Sequence, residues 1–295
     1  METDIVSYEA RPLLERRFLL GEGPAYDGRT DTLSWVDIKT GSLFLWGLKK
    51  KQLDEIQTGQ NLGAAVPTIR GKYIGAMTTG IYLIEKDNLA FVCRPPELTD
   101  NFRLNDAKCD PSGRFWFGTC KLFKSAGEGS LFRLDPSGQS PGGTCRRVLA
   151  GPKTSNGLAW SPDKKTMYYI DTPEKRVDAF DYDSETGSIK NRRPAIKFPD
   201  SYPDGMTIDS EGMLWVALWG GNMVVRCDPA SGKITARIPI PSKNVTSCCF
   251  AGENLDTLFI TTSGEGFDDP EAGLVYWTQP GARGVPTDLF DDRGL

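Results

Sequence analysis

Short apolar runs recur along the chain, each broken by a turn rich in Gly, Asp, Ser or Pro and answered by an aromatic or β-branched run. Six segments follow this plan: GEGPAYDGRTDTLSWVDI, LGAAVPTIRGKYIGAMTT, LNDAKCDPSGRFWFGTC, SNGLAWSPDKKTMYYIDT, PDGMTIDSEGMLWVALW and VTSCCFAGENLDTLFITTS. Each is followed within a few residues by a further run: SLFLWGL, IYLIE, SLFRLD, VDAFDYD, MVVRCD and LVYWT. Runs of this length, bounded by DPSG, SPDK and DSEG turns, predict antiparallel strands joined by hairpins.

Aligning the first position of each segment picks out Glu22, Gly63, Asn105, Asn156, Asp204 and Thr246, with successive differences of 41, 42, 51, 48 and 42 residues. A period of roughly 40–50 residues holding about four strands is the signature of a propeller blade. The repeats span nearly the whole chain, and no Pro-rich or charged linker interrupts them. The expected fold is therefore all-β: a single domain over residues 1–295, built as a six-bladed β-propeller of four-stranded antiparallel blades with a metal site in its central channel. The stretch 10–20 is expected to add the outer strand of the last blade and close the ring.

In a propeller the innermost strands line the channel, so equivalent positions converge on one ring. Here that ring holds Glu, Gly, Asn, Asn, Asp and Thr. Carboxylates facing each other across a narrow channel repel and lose hydration, and a divalent cation relieves both costs. Oxygen ligands suit Ca²⁺, Mg²⁺ or Mn²⁺, and carboxylates also bind Zn²⁺. Taken alone, Asn156 before Gly157 and Asp204 in Pro-Asp-Gly read as turn residues. Their shared phase across the repeats points instead to a functional ring.

Composition narrows the chemistry. The chain of 295 residues has a net charge of −4 and no basic stripe, which argues against nucleic acid as a partner. No apolar run approaches the length of a membrane span, and METDIVSYEARPLLERR lacks a signal-peptide core. The expectation is a cytoplasmic protein, a monomer or weak homo-oligomer, acting on a small molecule. Seven cysteines without a CxxC spacing, two of them adjacent (Cys248, Cys249), are expected to be reduced, and the sequon at Asn244 to carry no sugar. Histidine is absent altogether, which excludes Ser-His-Asp and Cys-His catalysis and any imidazole base.

Other features have plainer readings. Gly21-Glu22-Gly23 lacks the rest of a dinucleotide fingerprint. Asp181, Asp183 and Glu185 resemble a calcium loop, but the glycine falls one place late at Gly187, so a hairpin turn is expected. Trp35, Trp116, Tyr168, Tyr169, Trp215 and Trp219 read as packing between blades, with Trp219, beside Gly220-Gly221, also a candidate to border the pocket.

At GEGP (21–24), RLNDAKCDPSGR (103–114), SNGLAWS (155–161), YYIDT (168–172), VDAFDYDSETGSIKNRR (177–193), PDGMTIDSEGMLWVA (203–217) and TSCCF (246–250), the sequence resembles the regucalcin (senescence marker protein) and gluconolactonase family of six-bladed propellers. The resemblance covers almost the entire chain. It implies a metal-dependent hydrolase that opens sugar lactones. Position by position it implies Glu22, Asn156 and Asp204 as metal ligands and Arg103 and Asn105 as substrate-binding residues; with no histidine available, Asp204 is also the expected general base. After Gly118-Thr119, animal members carry a longer acidic loop that contributes a Glu to the substrate site. Here the segment 118–132 is shorter, and Lys121 or Glu128 is the expected replacement. Two alternatives stand beside the lactonase reading: a phosphotriesterase or arylesterase at the same metal, and a non-catalytic calcium-binding propeller.

Overall fold

The computed structural model describes residues 5–123, 128–136 and 144–295. Its described residues are almost wholly strand and turn, with a single 3₁₀ turn at Thr172–Glu174. After two short strands, β1 (Val6–Ser7) and β2 (Arg11–Pro12), the chain lays down antiparallel four-stranded sheets. The first holds β3 (Gly21–Asp27), β4 (Thr32–Asp37), β5 (Ser42–Gly47) and β6 (Gln52–Gln57). The second holds β7 (Leu62–Pro67), β8 (Tyr73–Met77), β9 (Gly80–Glu85) and β10 (Asn88–Cys93). The third holds β11 (Phe102–Cys109), β12 (Phe115–Lys121), β13 (Ser130–Asp135) and β14 (Thr144–Ala150). The fourth holds β15 (Ser155–Trp160), β16 (Thr166–Asp171), β17 (Arg176–Asp183) and β18 (Ser188–Lys197).

The remaining strands are β19 (Tyr202–Ile208), β20 (Leu214–Trp219), β21 (Met223–Asp228), β22 (Lys233–Pro239), β23 (Asn244–Ala251), β24 (Thr257–Ser263) and β25 (Tyr276–Thr278). They form one continuous sheet, because Trp219 of β20 bridges Asn244 of β23. On either side of that bridge the pattern of the other sheets repeats: β19 to β22 on one side, β23 to β25 on the other. The N-terminal strand β2 pairs antiparallel with β25, so the stretch 10–20 does supply the outer strand expected of it. Strand β1 adds a parallel pairing with β22 that the repeat does not announce.

The first strand of each unit contacts its neighbours in a closed circuit, β3 to β7, β11, β15, β19, β23 and back to β3. This is the architecture of a β-propeller. Its core is divided accordingly, with an apolar cluster between each pair of adjacent units, from Leu62, Ala65 and Met77 against Val36 and Leu43, round to Phe259 and Val275 against Trp35 and Phe44. Trp35, Trp116 and Trp215 are fully buried in this packing, as is Tyr169. Trp116 and Trp215 donate their indole N–H to Asp110 and Asp209, the aspartates that open the DPSG and DSEG turns. Asp183 accepts the N–H groups of Glu185 and Thr186, closing the β17–β18 hairpin in place of a calcium loop.

The C-terminal segment crosses the end of the channel where the inner strands finish. The carbonyl of Arg283 accepts from Ser210, Gly284 donates to Leu255, Phe290 exchanges bonds with Pro67 and Ile69, and Asp291 donates to Gly113. One strap thereby ties together units far apart in sequence. One cysteine expectation is corrected. Cys93 and Cys145, 52 residues apart, are joined as a disulfide, because β10 and β14 are the outer strands of neighbouring sheets. The other five cysteines are free.

Candidate active site

The aligned positions share a backbone feature that the sequence does not display. In every inner strand the register breaks at or beside the aligned residue: between Glu22 and Ala25, Leu62 and Ala64, Leu104 and Ala107, Ser155 and Leu158, Pro203 and Met206, and Val245 and Ser247. A bulge leaves its residue out of the ladder and re-aims the side chain. Asn156 and Asp204 therefore lie within strands β15 and β19, not in turns. The glycines that follow them serve close approach between inner strands. A Cβ on Gly157 would stand 2.8 Å from the Asp204 carbonyl oxygen, and one on Gly205 2.8 Å from that of Thr246.

Glu22, Asn105, Asn156 and Asp204 converge with Arg103 on one cavity of about 270 Å³. All four ring residues are buried. The other two aligned positions do not reach it: Gly63 has no side chain, and Thr246 spends its hydroxyl on the Gly21 carbonyl at 2.6 Å, joining the last unit to the first. Lys121 does not line the cavity either. Alternation along β12 turns neighbouring residues to opposite faces, and it is Cys120 that borders the site. Glu128 is exposed and lies outside the lining, and residues 124–127 of that segment fall outside the described residues.

Clamps at the ends of the second strands fix the entry of the inner ones. Asp37 accepts the N–H groups of Leu19 and Leu20, just before Glu22. Asp171 does the same for Lys153 and Thr154, just before Asn156. The amides are then wired together. Arg103 donates to the side-chain oxygen of Asn105, whose Nδ2 donates to the Ser155 carbonyl at 2.7 Å and to Asn156 Oδ1 at 2.6 Å. Asn156 Nδ2 donates to Thr172 Oγ1 at 2.7 Å, and that hydroxyl donates to the Pro203 carbonyl at 2.8 Å. This chain leaves no freedom in which way either amide faces. Thr172 escaped sequence reasoning although it ends the YYIDT motif.

The carboxylates are short of donors. Glu22 accepts one hydrogen bond, from its neighbour Gly23, and none among the described residues reaches the Asp204 carboxylate. Burial, reinforced by Asp106, pushes Glu22 up to about 8, with Gly23 and Arg103 opposing. Burial followed by the charges of Glu22 and Asp106 holds Asp204 well above the usual carboxylate range. Asp106, buried beside Asn105, is thus a third acid of the channel that the repeat alignment did not mark. Two under-donated carboxylates with an amide oxygen between them are a donor set that fits a divalent cation. Among the described residues no three His, Cys, Asp or Glu side chains are grouped to hold a metal, so the set depends on its amide oxygen.

Residues 20–264 match the family model described as the SMP-30/Gluconolactonase/LRE-like region. The chain belongs to this family. It is 37% identical over 275 residues, 90% of this chain and 92% of the relative, to a Bacillus subtilis (strain 168) protein provisionally named sugar lactone lactonase YvrE. It is 34% identical over 293 residues to regucalcin of Danio rerio, covering 95% of this chain and 97% of that one. Among solved structures it is similar to a calcium-binding regucalcin of Agrobacterium tumefaciens, with a TM-score of 0.89 at 26% identity over 97% of this chain and 98% of that one. A luciferin-regenerating enzyme matches with a TM-score of 0.86 at 30% identity, over 96% and 99% of the two chains. The family's fold therefore extends over both ends of the chain, beyond the residues matched by the family model.

Proposed function

We propose that the chain is a six-bladed propeller forming one domain over residues 1–295, and that it hydrolyses sugar lactones at the mouth of its channel. The observation that carries this reading is the meeting of Glu22, Asn156 and Asp204 with Arg103 and Asn105 in one cavity. The lactonase name of the Bacillus subtilis relative supports the substrate class.

Glu22, Asn156 and Asp204 would hold one divalent cation, Ca²⁺, Zn²⁺, Mg²⁺ or Mn²⁺. When bound, it supplies positive charge where negative charge develops on the lactone carbonyl oxygen. Arg103 donates to the substrate's oxygens, and Asn105, held by three hydrogen bonds, fixes the guanidinium and the ring beside it. Asp204 takes a proton from the attacking water, in a chain that has no histidine for the task. The water oxygen bonds to the carbonyl carbon, the ring C–O bond breaks, and the proton passes to the ring oxygen that leaves. One lactone and one water become one hydroxy acid.

The test is hydrolysis of glucono-1,5-lactone followed with a pH indicator, together with metal analysis of protein purified without chelator. Asp204→Ala is expected to abolish turnover. Full activity with unchanged metal content in that variant would defeat the assignment. The calcium-binding description of the Agrobacterium tumefaciens relative favours a second reading, a binding-only propeller. Calcium affinity without turnover of any lactone would support it.

A further inference from the structure

The cavity has two unlike sides. Besides Cys120, the third and fourth units contribute Arg103, Asn105, Thr154, Asn156 and Thr172, all polar. The first and fifth units contribute the apolar Leu20, Ile38 and Trp219 beside Glu22, Lys39 and Asp204. Trp219 ends β20, pinned by pairing to Tyr202 on one side and Asn244 on the other, and Gly220 follows with φ +75° to turn the chain away. Its half-buried side chain packs against the apolar cluster that includes Leu20 and Ile38. The circuit of inner strands sets this apolar wall across the channel from Arg103 and Asn105.

The same cavity is lined by Lys39, after β4, and Glu265, after β24, whose side chains meet at 2.9 Å while remaining 40% and 50% exposed. An ammonium and a carboxylate side by side offer a donor and an acceptor together, which is what a hydroxyl group requires. At about 270 Å³ the cavity falls just under the range of roughly 300–1,000 Å³ of sites for drug-sized ligands. It suits one sugar ring rather than an oligosaccharide.

We propose that Trp219, backed by Leu20 and Ile38, and the Lys39–Glu265 pair determine substrate choice. The indole covers the C–H face of a monosaccharide lactone, the ring hydroxyls face Arg103 and Asn105, and the ion pair takes the exocyclic hydroxymethyl group. This rests on the lactonase reading for the identity of the ligand and adds the residues that select it.

Three substrates separate these contacts: glucono-1,5-lactone, xylono-1,5-lactone, which lacks the exocyclic carbon, and δ-valerolactone, which has no hydroxyls. Trp219→Ala is expected to raise KM for glucono-1,5-lactone about tenfold with kcat nearly unchanged, and Trp219→Phe to recover most of the loss by restoring an aromatic face. Lys39→Ala is expected to cut the preference for the gluconic over the xylonic lactone by about five- to tenfold while leaving δ-valerolactone unaffected. 1,5-Anhydroglucitol, which keeps the pyranose ring and its hydroxymethyl group but has no carbonyl to hydrolyse, provides a readout free of turnover. It should quench the tryptophan fluorescence of the wild type and not that of Trp219→Phe. Wild-type KM in Trp219→Ala, an unchanged preference in Lys39→Ala, or quenching that is absent or survives Trp219→Phe would overturn the proposal. A wild type that turns over no lactone sinks the lactonase reading, and the 1,5-anhydroglucitol titration then decides the wall by itself.

Discussion

The side-chain amide of Asn105 donates to the amide oxygen of Asn156 across 2.6 Å, joining the third and fourth inner strands at the point where both bulge. Each amide is also anchored behind, Asn105 on Arg103 and the Ser155 carbonyl, Asn156 on Thr172. The ring is thus a tied network and not merely a set of neighbours.

That network yields a test of positioning. Thr172→Val keeps the shape of the side chain but leaves Asn156 Nδ2 without its acceptor. Partners of this kind typically contribute 10–100-fold to metal affinity. Calcium titration calorimetry of Thr172→Val is expected to show a loss of about that size, with an unchanged circular dichroism spectrum. Equal affinity in variant and wild type would show that Asn156 needs no such anchor.

The C-terminal strap makes a second prediction. Phe290 is fully buried, stacks edge-on against Phe115 at 6.3 Å, and is flanked by the bonds to Pro67 and Ile69. Truncating a buried Phe to Ala costs about 3–5 kcal/mol. Phe290→Ala should therefore lower the urea midpoint substantially with little change in the m-value. A variant as stable as the wild type would mean the strap is only loosely docked.

Asp288 gives the strap a pH dependence. It lines a small cavity of about 70 Å³ with Asp106 and Lys108, and burial, then the charge of Asp110, raises it from 3.8 to about 6. Its folded-state value lies above its unfolded one, so the folded protein binds more protons between those values. Its contribution is then fully present below pH 3.8 and lost as pH rises to about 6. At about 1.4 kcal/mol per pKa unit the effect is at most about 3 kcal/mol. Asp288→Asn should flatten this part of the stability profile and stabilise the protein at pH 7, as read from urea unfolding across pH 4 to 7.

Thiol counting tests both the disulfide and the site. Of the seven cysteines, Cys93 and Cys145 are paired, and Cys109, Cys227, Cys248 and Cys249 are buried. Burial raises those four thiols, Cys227 and Cys248 each to about 12. Cys120 alone is half-exposed among the free ones, in the cavity wall. A short alkylation of native protein should label Cys120 first and gluconate should protect it. Denaturation without reductant should expose two thiols fewer than denaturation with it. Equal counts would remove the disulfide.

Much of this was legible in the residues. The repeat of apolar runs and turns located the strands and the closing role of the N-terminal stretch, because each blade must present the same alternation to its neighbours. The shared phase of Glu22, Asn105, Asn156 and Asp204 brought them to one ring, since equivalent positions of equivalent strands face one channel. What remained hidden depends on contacts between units. Nothing local marks Thr172, Asp106 or the Lys39–Glu265 pair, and one step along β12 separates Lys121, which the sequence favoured, from Cys120, which borders the cavity.

The sequence by itself therefore determined the repeat and the ring, both being properties of spacing. The tertiary structure decided which ring members reach the cavity, which amides are tied to which, that Cys93 meets Cys145, and that an apolar wall faces the arginine. Those are properties of distance between segments 40 or more residues apart, and only the closure of the propeller sets them.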